Sequence, residues 1–172
     1  MYYNIVETKK AVGKEISMKI TIPEYKTINI DTIFLDFNGT IAVDGVIPLS
    51  VKERLIALAE EYRIYILTAD TYGSAREQCR DLPVIIETFP SGPAKEYKRE
   101  ILKATGSKHC AAIGNGRNDE SMLKEAALSV AVLDREGAYG KLLKEADLVV
   151  RSMQDALDLF LYPNRIVAGL RG

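Results

Sequence analysis

Thr32-Ile33-Phe34-Leu35-Asp36-Phe37-Asn38-Gly39-Thr40 decides how the rest of the chain is read. A run of apolar, strand-forming residues carries the backbone straight into a carboxylate, and a Gly-Thr turn follows. Such near-continuous apolar character marks a strand buried on both faces, the kind that makes parallel sheets. In open parallel α/β sheets, ligands bind beyond the carboxyl ends of the strands, so Asp36 stands where chemistry is placed. A carboxylate there can attack phosphorus and form an aspartyl phosphate. It can equally end a strand and cap a turn, and this stretch alone does not choose between the two.

Working outward, Ile16, Met18, Ile20 and Ile22 alternate with polar residues, and Ile28 and Ile30 resume the alternation after a turn at Pro23-Glu24-Tyr25-Lys26. Residues 16–30 therefore predict a β-hairpin attached to the edge of a sheet. Residues 1–15 have no clear period and are expected to form a tail or an irregular edge. On the other side, Asp44-Gly45 between apolar β-formers predicts a short hairpin flap just after Asp36. Ser50-Val51-Lys52-Glu53 reads as a capping box opening a helix to about Glu61. Strand Arg63 to Leu67 then ends in Thr68-Ala69-Asp70. A helix from about Tyr72 to Arg80 and a strand at Val84 to Ile86 come next. Ser91-Gly92-Pro93 opens a helix from Ala94 to Ala104, and strand Ala111 to Ile113 runs into Gly114-Asn115-Gly116-Arg117-Asn118-Asp119. A helix to Ala126, a strand near Ser129 to Val132, a helix near Tyr139 to Ala146, a strand at Leu148 to Val150 and a helix from Met153 to Leu161 complete the pattern. Strands alternating with helices predict an α/β fold, a three-layer, Rossmann-like parallel sheet with helices on both faces. Its core is expected over residues 32–161, within a single domain spanning 1–172.

Composition narrows the function classes. A net charge of -1 over 172 residues makes no electrostatic case for nucleic acid or an anionic membrane. Cys79 and Cys110 fit no metal or redox spacing and read as reduced thiols. No apolar run approaches a membrane span, and the N-terminus lacks a signal-like apolar region, so a soluble, cytoplasmic protein is expected. The one histidine, His109, excludes histidine-rich metal sites and argues against a histidine-based triad.

Three polar sets fall at strand ends: Asp36 to Thr40, Thr68 to Asp70, and Gly114 to Asp119. Lys95 and Lys98 lie near the start of the helix between the last two. In a parallel sheet these groups share one edge. Together they suit phosphoryl transfer, in which a carboxylate attacks phosphorus while Mg²⁺ and a lysine neutralise the spread negative charge.

At this point the residues carry a resemblance. Asp36-Phe37-Asn38-Gly39-Thr40, Thr68 after an apolar strand, Lys98 opening Lys-Arg-Glu-Ile-Leu, and Gly114 to Asp119 resemble motifs I to IV of the haloacid dehalogenase superfamily. Within it, they resemble the phosphorylation domain of P-type ATPases and, more closely, its small soluble relatives. The resemblance covers roughly Thr32 to Leu161. It implies that Asp36 is the nucleophile and a Mg²⁺ ligand, and that Asn38 lends Mg²⁺ its backbone carbonyl. Gly39 and Thr40 would shape the phosphate loop, Thr68 would bind a phosphate oxygen with help from the Ala69 amide, and Lys98 would neutralise phosphate and Asp36. Asn115 and Asp119 would complete the metal site, with Asn118 orienting it. Plainer readings stand beside these: Thr68 as a structural strand end, Lys95 as the phosphate lysine instead of Lys98, and Asn118-Asp119 as a helix cap.

Two positions depart from the family's pattern. Most of its phosphatases carry an acid/base aspartate two residues after the nucleophile, where this chain has Asn38, and an amide cannot exchange a proton at neutral pH. Asn115 stands where the family usually has a metal-binding aspartate. The intervals between motifs leave no room for a large cap domain, so either the substrate is large or a homo-oligomeric neighbour covers the open site. The expected function is a Mg²⁺-dependent phosphohydrolase acting on a phosphorylated substrate through an aspartyl phosphate on Asp36, slowed by Asn38. The alternatives are a weakly active or non-enzymatic binding or regulatory protein of the same fold, and a phosphotransferase.

Overall fold

In the computed structural model, residues 17–70, 73–90 and 92–172 are described. The expected tail over 1–15, the first hairpin residue Ile16, the helix start at Tyr72 and the turn residue Ser91 lie outside them. The elements follow in order as β1 (Met18–Ile22), β2 (Lys26–Ile30), β3 (Thr32–Asp36), α1 (Leu49–Leu58), β4 (Arg63–Thr68), α2 (Ser74–Gln78) and β5 (Ile85–Thr88). After these come α3 (Ala94–Thr105), β6 (Cys110–Gly114), α4 (Glu120–Glu125), β7 (Leu128–Val132), α5 (Gly140–Glu145), β8 (Leu148–Val150), α6 (Met153–Leu161) and α7 (Asn164–Leu170).

Six strands form one parallel sheet in the order β5-β4-β3-β6-β7-β8. The chain lays strands outward from β3 to β5, then crosses back and lays β6 to β8 on the other side. The direction of winding therefore reverses between β3 and β6, and the crevice beyond their carboxyl ends is the natural ligand position in such a sheet. Side-chain alternation splits β3 between two cores. Ile33, Leu35 and Phe37 join a core containing residues of α1, α2 and α6, whereas Phe34 joins one built with Leu102 of α3, Met122 and Leu123 of α4 and Leu142 of α5. This is the expected three-layer α/β fold, with no large cap among the described residues. No helix among the described residues is long and apolar enough to cross a membrane.

The structure corrects two local expectations. The hairpin of β1 and β2 is a separate two-stranded sheet and does not extend the edge of the main one. Both edges of β3 are already taken by β4 and β6, so the strands just before it cannot pair beside it. The hairpin closes on itself and buries Ile20, Ile22, Ile28 and Ile30 in the larger core. The capping box at Ser50 is also absent. Helix α1 begins after Pro48, whose φ of -59° suits the turn, and no side chain caps it. The Ser50 hydroxyl instead accepts a hydrogen bond from Gln154 Nε2 at 3.0 Å. The flap did form as the Asp-Gly pair predicts: Val43 and Val46 exchange backbone hydrogen bonds across Asp44 and Gly45, both at positive φ. Helix α7 was not expected; Pro163 at its start and the apolar Ile166, Val167 and Leu170 are the signals that could have found it.

Helices α1 and α6 are tied by an ion pair. Asp158 accepts from Arg54 Nε at 2.7 Å and Nη2 at 3.4 Å, and from Arg165 Nη1 at 3.4 Å. The hydrogen bond from Arg54 holds the Asp158 carboxyl below its ordinary value, against the opposing effect of burial. A depressed carboxylate contributes stability above its unfolded pKa and loses it as pH falls through the folded one. Asp158→Asn should therefore cost about 1 kcal/mol at pH 7, the size of a half-exposed charge pair. Urea unfolding of both proteins should show that gap closing as the pH drops below about 3.9.

Candidate active site

The parity that sends Phe34 toward α3 sends Asp36 the same way, since alternate residues of a strand share a face. Lys98 of α3 comes up to meet it. Its Nζ donates to Asp36 Oδ1 and, at 2.7 Å, to Asp119 Oδ1, and its side chain is 1% exposed. Asp119 uses its other oxygen to accept from the backbone N–H groups of Asn115, at 3.1 Å, and Gly116, at 2.9 Å. This carboxylate lies so close to the end of β6 that a Cβ on Gly114 would stand 2.5 Å from its Cγ. Any larger residue at 114 would push Asp119 off Lys98. Thus one buried ammonium bridges β3 and the turn after β6, on the two sides of the crevice.

Charge at this bridge is held by mutual compensation. Burial works to drag the Lys98 ammonium down, but the charges of Asp36 and Asp119 and their hydrogen bonds outweigh it and hold it above the usual lysine value. Burial, and then the neighbouring charge of Asp36, push Asp119 up to about 6 against the pull of Lys98 and the Gly116 amide. Two carboxylates and one ammonium leave the bridge with one net negative charge when all are ionised.

The turn after β3 brings a third group. Thr40 N and Ala42 N donate to the Phe37 carbonyl at 3.3 and 3.0 Å, and Gly39 N donates to the Ala42 carbonyl at 2.9 Å. Gly39 has φ +72°, and a Cβ there would meet Asn115 Nδ2 at 2.5 Å, so glycine is required twice over. The Thr40 hydroxyl lies 3.2 Å from Asp36 Oδ2 and 3.1 Å from Asn115 Oδ1, sharing its one proton between them. Asn115 is held in turn by the next loop: its Nδ2 donates to the Gly137 carbonyl at 3.0 Å.

The remaining expected residues divide. Thr68 is buried at the end of β4, where its hydroxyl accepts from Asp70 N at 3.1 Å and so keeps its proton to donate. Thr68, at the end of the strand next to Asp36, and the exposed Ala69 just after it make no hydrogen bond to Asp36. Asn38 is exposed, and its carbonyl is left out of the turn's backbone bonds. Asn118 is exposed, with its Oδ1 packed over Gly116. Lys95 points elsewhere, to Glu120 at 2.6 Å. Cys79 and Cys110 are free and buried, and burial pushes their thiols up to about 11 and about 12. Two roles were not anticipated. Asp70, at φ 43°, accepts from Ala75 N at 2.8 Å and so caps the start of α2. Glu136, in the loop after β7, accepts from Asp44 N of the flap at 2.8 Å. No local motif marks either one.

For a metal, the crevice offers oxygen alone. Asp36 Oδ2 and Asn115 Oδ1 both lie against the Thr40 hydroxyl, and the Asn38 carbonyl is outside the turn's bonding. Among the described residues, no three His, Cys, Asp or Glu side chains cluster as a closed metal cage. A sparse, hard, all-oxygen set with net negative charge fits Mg²⁺, which keeps several of its waters. Both oxygens of Asp119 are engaged, by Lys98 and by the loop amides, so its geometry is that of a support behind this set.

Solved structures share this fold. The cobalt-bound deoxy-D-mannose-octulosonate 8-phosphate phosphatase of Haemophilus influenzae superposes with a TM-score of 0.65 at 18% identity, over 77% of this chain and 87% of that one. The Moraxella catarrhalis 3-deoxy-D-manno-octulosonate 8-phosphate phosphatase, in complex with magnesium, phosphate and its sugar acid, gives 0.66 at 16% identity, over 83% and 94%. In sequence, the chain is 46% identical over 72 residues to an uncharacterized protein of Methanocaldococcus jannaschii, covering 42% of this chain and 77% of that protein. A second uncharacterized protein of the same organism is 64% identical over 39 residues, covering 23% and 89%. The sequence profile of the haloacid dehalogenase-like hydrolases matches residues 100–156, the stretch that carries Asn115 and Asp119. Over that stretch, a third of the chain, this protein is similar to the haloacid dehalogenase-like hydrolases, and its other three motifs are set around the same crevice.

Proposed function

We propose that this protein is a phosphohydrolase that passes the phosphoryl group of a phosphomonoester through Asp36. The observation that carries this reading is the buried Asp36 carboxylate at the crevice, held on one side by Lys98 and on the other by the Thr40 hydroxyl. An Asp36 oxygen attacks phosphorus, the bond from phosphorus to the leaving oxygen breaks, and an aspartyl phosphate forms. Lys98 is fixed where negative charge accumulates on the phosphoryl oxygens. The Thr68 hydroxyl and the Ala69 amide are the donors for those oxygens from the neighbouring strand end. Asp36, the Asn38 carbonyl and Asn115 would hold Mg²⁺, while Asp119 fixes Lys98 and the Asn115–Gly116 backbone behind them and Asn118 braces the turn. Bound there, Mg²⁺ supplies positive charge to the phosphoryl oxygens and to Asp36.

Water then cleaves the aspartyl phosphate, and here Asn38 sets the pace. An amide neither protonates the departing oxygen nor takes a proton from the attacking water, so both protons are exchanged with solvent. General acid–base help is worth ~10²–10⁴ in rate, and this site runs without it at position 38. A long-lived aspartyl phosphate is what the resemblance to the soluble relatives of P-type ATPases supports. The same asparagine favours a second reading, a binding or regulatory protein that keeps the fold and the anion site.

Phosphate release from an aryl phosphate should require Mg²⁺ and vanish in Asp36→Asn; equal release by both proteins would remove Asp36 as nucleophile. Asn38→Asp should raise the rate about tenfold or more. Beryllium fluoride with Mg²⁺ should raise the melting temperature of the wild type and not of Asp36→Asn, whereas no shift in either would favour the binding protein.

The bridge itself makes a prediction about stability. Lys98→Met leaves two buried carboxylates without their cation, which should cost about 3–5 kcal/mol at pH 7. Losing the lysine raises Asp119, already pushed up by burial, further. A raised acid costs stability above its unfolded pKa and stops doing so once both states are protonated, so the deficit should shrink from pH 7 toward pH 4. Denaturant titrations at several pH values would check this, and a deficit independent of pH would contradict it.

A further inference from the structure

The loop between β7 and α5 is fastened to the site at three points. Asn115 Nδ2 donates to the Gly137 carbonyl at 3.0 Å, and Tyr139 N donates to the Asn115 carbonyl at 2.8 Å. Asp44 N, on the flap, donates to Glu136 Oε1 at 2.8 Å. The second oxygen of Glu136 comes within 3.1 Å of the point where a Cβ on Gly39 would stand, and Asn115 Nδ2 lies 2.5 Å from that same point. The Glu136 carboxylate therefore sits over the phosphoryl turn, beside the side chain that holds the family's aspartate position. Among the described residues, no lysine or arginine is ion-paired with it.

The bond to Gly137 has a further effect on Asn115. It turns Nδ2 toward the loop and Oδ1 toward Thr40 and the crevice. An aspartate at 115 would set an oxygen against the Gly137 carbonyl with no proton between them, and two acceptors in that position repel. Position 115 is thus built for an amide, which can be oriented by the loop but carries no charge. The bridge of Asp36, Asp119 and Lys98 has one net negative charge, too little to match a divalent cation. A charge a few ångströms away, partly screened by water, can still alter cation affinity by about tenfold.

We infer that Glu136 supplies the negative charge that Asn115 lacks, so that the β7–α5 loop contributes both the orientation of the neutral ligand and the carboxylate that compensates for it. Glu136 does not reach the reacting phosphorus; it is a positioning residue that acts on the cation across Gly39. The inference rests on the Mg²⁺-dependent reading of the site given above.

Calorimetric titration of Mg²⁺ alone, without phosphate, onto the wild type, Glu136→Gln and Glu136→Asp tests it. Glu136→Gln should weaken Mg²⁺ binding about five- to tenfold, with the melting temperature of the metal-free protein unchanged, because the side chain is exposed. Glu136→Asp should retain most of the affinity. Equal Mg²⁺ affinity in wild type and Glu136→Gln would overturn the inference even if phosphate release fell, because Glu136 would then only tie down the flap. Equal losses in Glu136→Gln and Glu136→Asp would overturn it too, by showing that the tie and not the charge matters. A wild type that binds no Mg²⁺ would remove the metal-dependent reading itself, and the inference with it.

Discussion

A fully buried lysine between two carboxylates is the constraint on which the rest of the structure turns. Taking Lys98, Asp36 and Asp119 out of water is costly for each, and only their close mutual bonding offsets it. That requirement reaches into every nearby element. Helix α3 must place Lys98 at the crevice, β3 must end with Asp36 on the α3 face, and Gly114 must be bare for Asp119 to lie against it. The three residues come from three segments that meet only in the folded chain, so the bridge reports correct assembly of both halves of the sheet.

Around this rigid bridge, two of the groups facing the crevice, Thr40 and Asn115, are neutral and adjustable. Thr40 can give its single proton to Asp36 or to Asn115, and Asn115 itself is set by a carbonyl in a different loop. The result is a deep layer of fixed charge under a shallow layer of amides and hydroxyls. In this respect the site differs from one lined with aspartates, where repulsion among carboxylates must be held off by the metal itself.

How much of this could be read from the residue order follows from the range of each interaction. Asp36, Lys98 and Asp119 were legible because each sits at a strand end or helix start whose periodicity is local, and four ordered motifs left little freedom in their arrangement. The choice of Lys98 over Lys95 as the partner of Asp36 is geometric, since Lys95 is drawn off to Glu120. What escaped depended on distant partners. Ser50 looks like a cap until Gln154, from α6, occupies its hydroxyl. The alternation in β1 and β2 is real, but it does not say that the edges of β3 are already filled. Glu136 has no local signal at all, because its meaning comes from Asp44 and Gly39 across the crevice.

The division of β3 between two cores has one more consequence. Its odd-numbered residues fill the core under α1 and α6, and its even-numbered ones face α3. If the strand paired one residue out of step, Phe34 would exchange places with Ile33 and Leu35, and Asp36 would be thrust among aliphatic side chains with no cation in reach. Packing and charge would therefore reject the same mispaired form at once. A chain trapped in that arrangement would be recognisable by its exposed lysine and its loose core, and would be a ready target for proteolysis. The crevice thus doubles as a check on its own assembly: the register that sets Asp36 against Lys98 is the one in which the carboxylate can be buried.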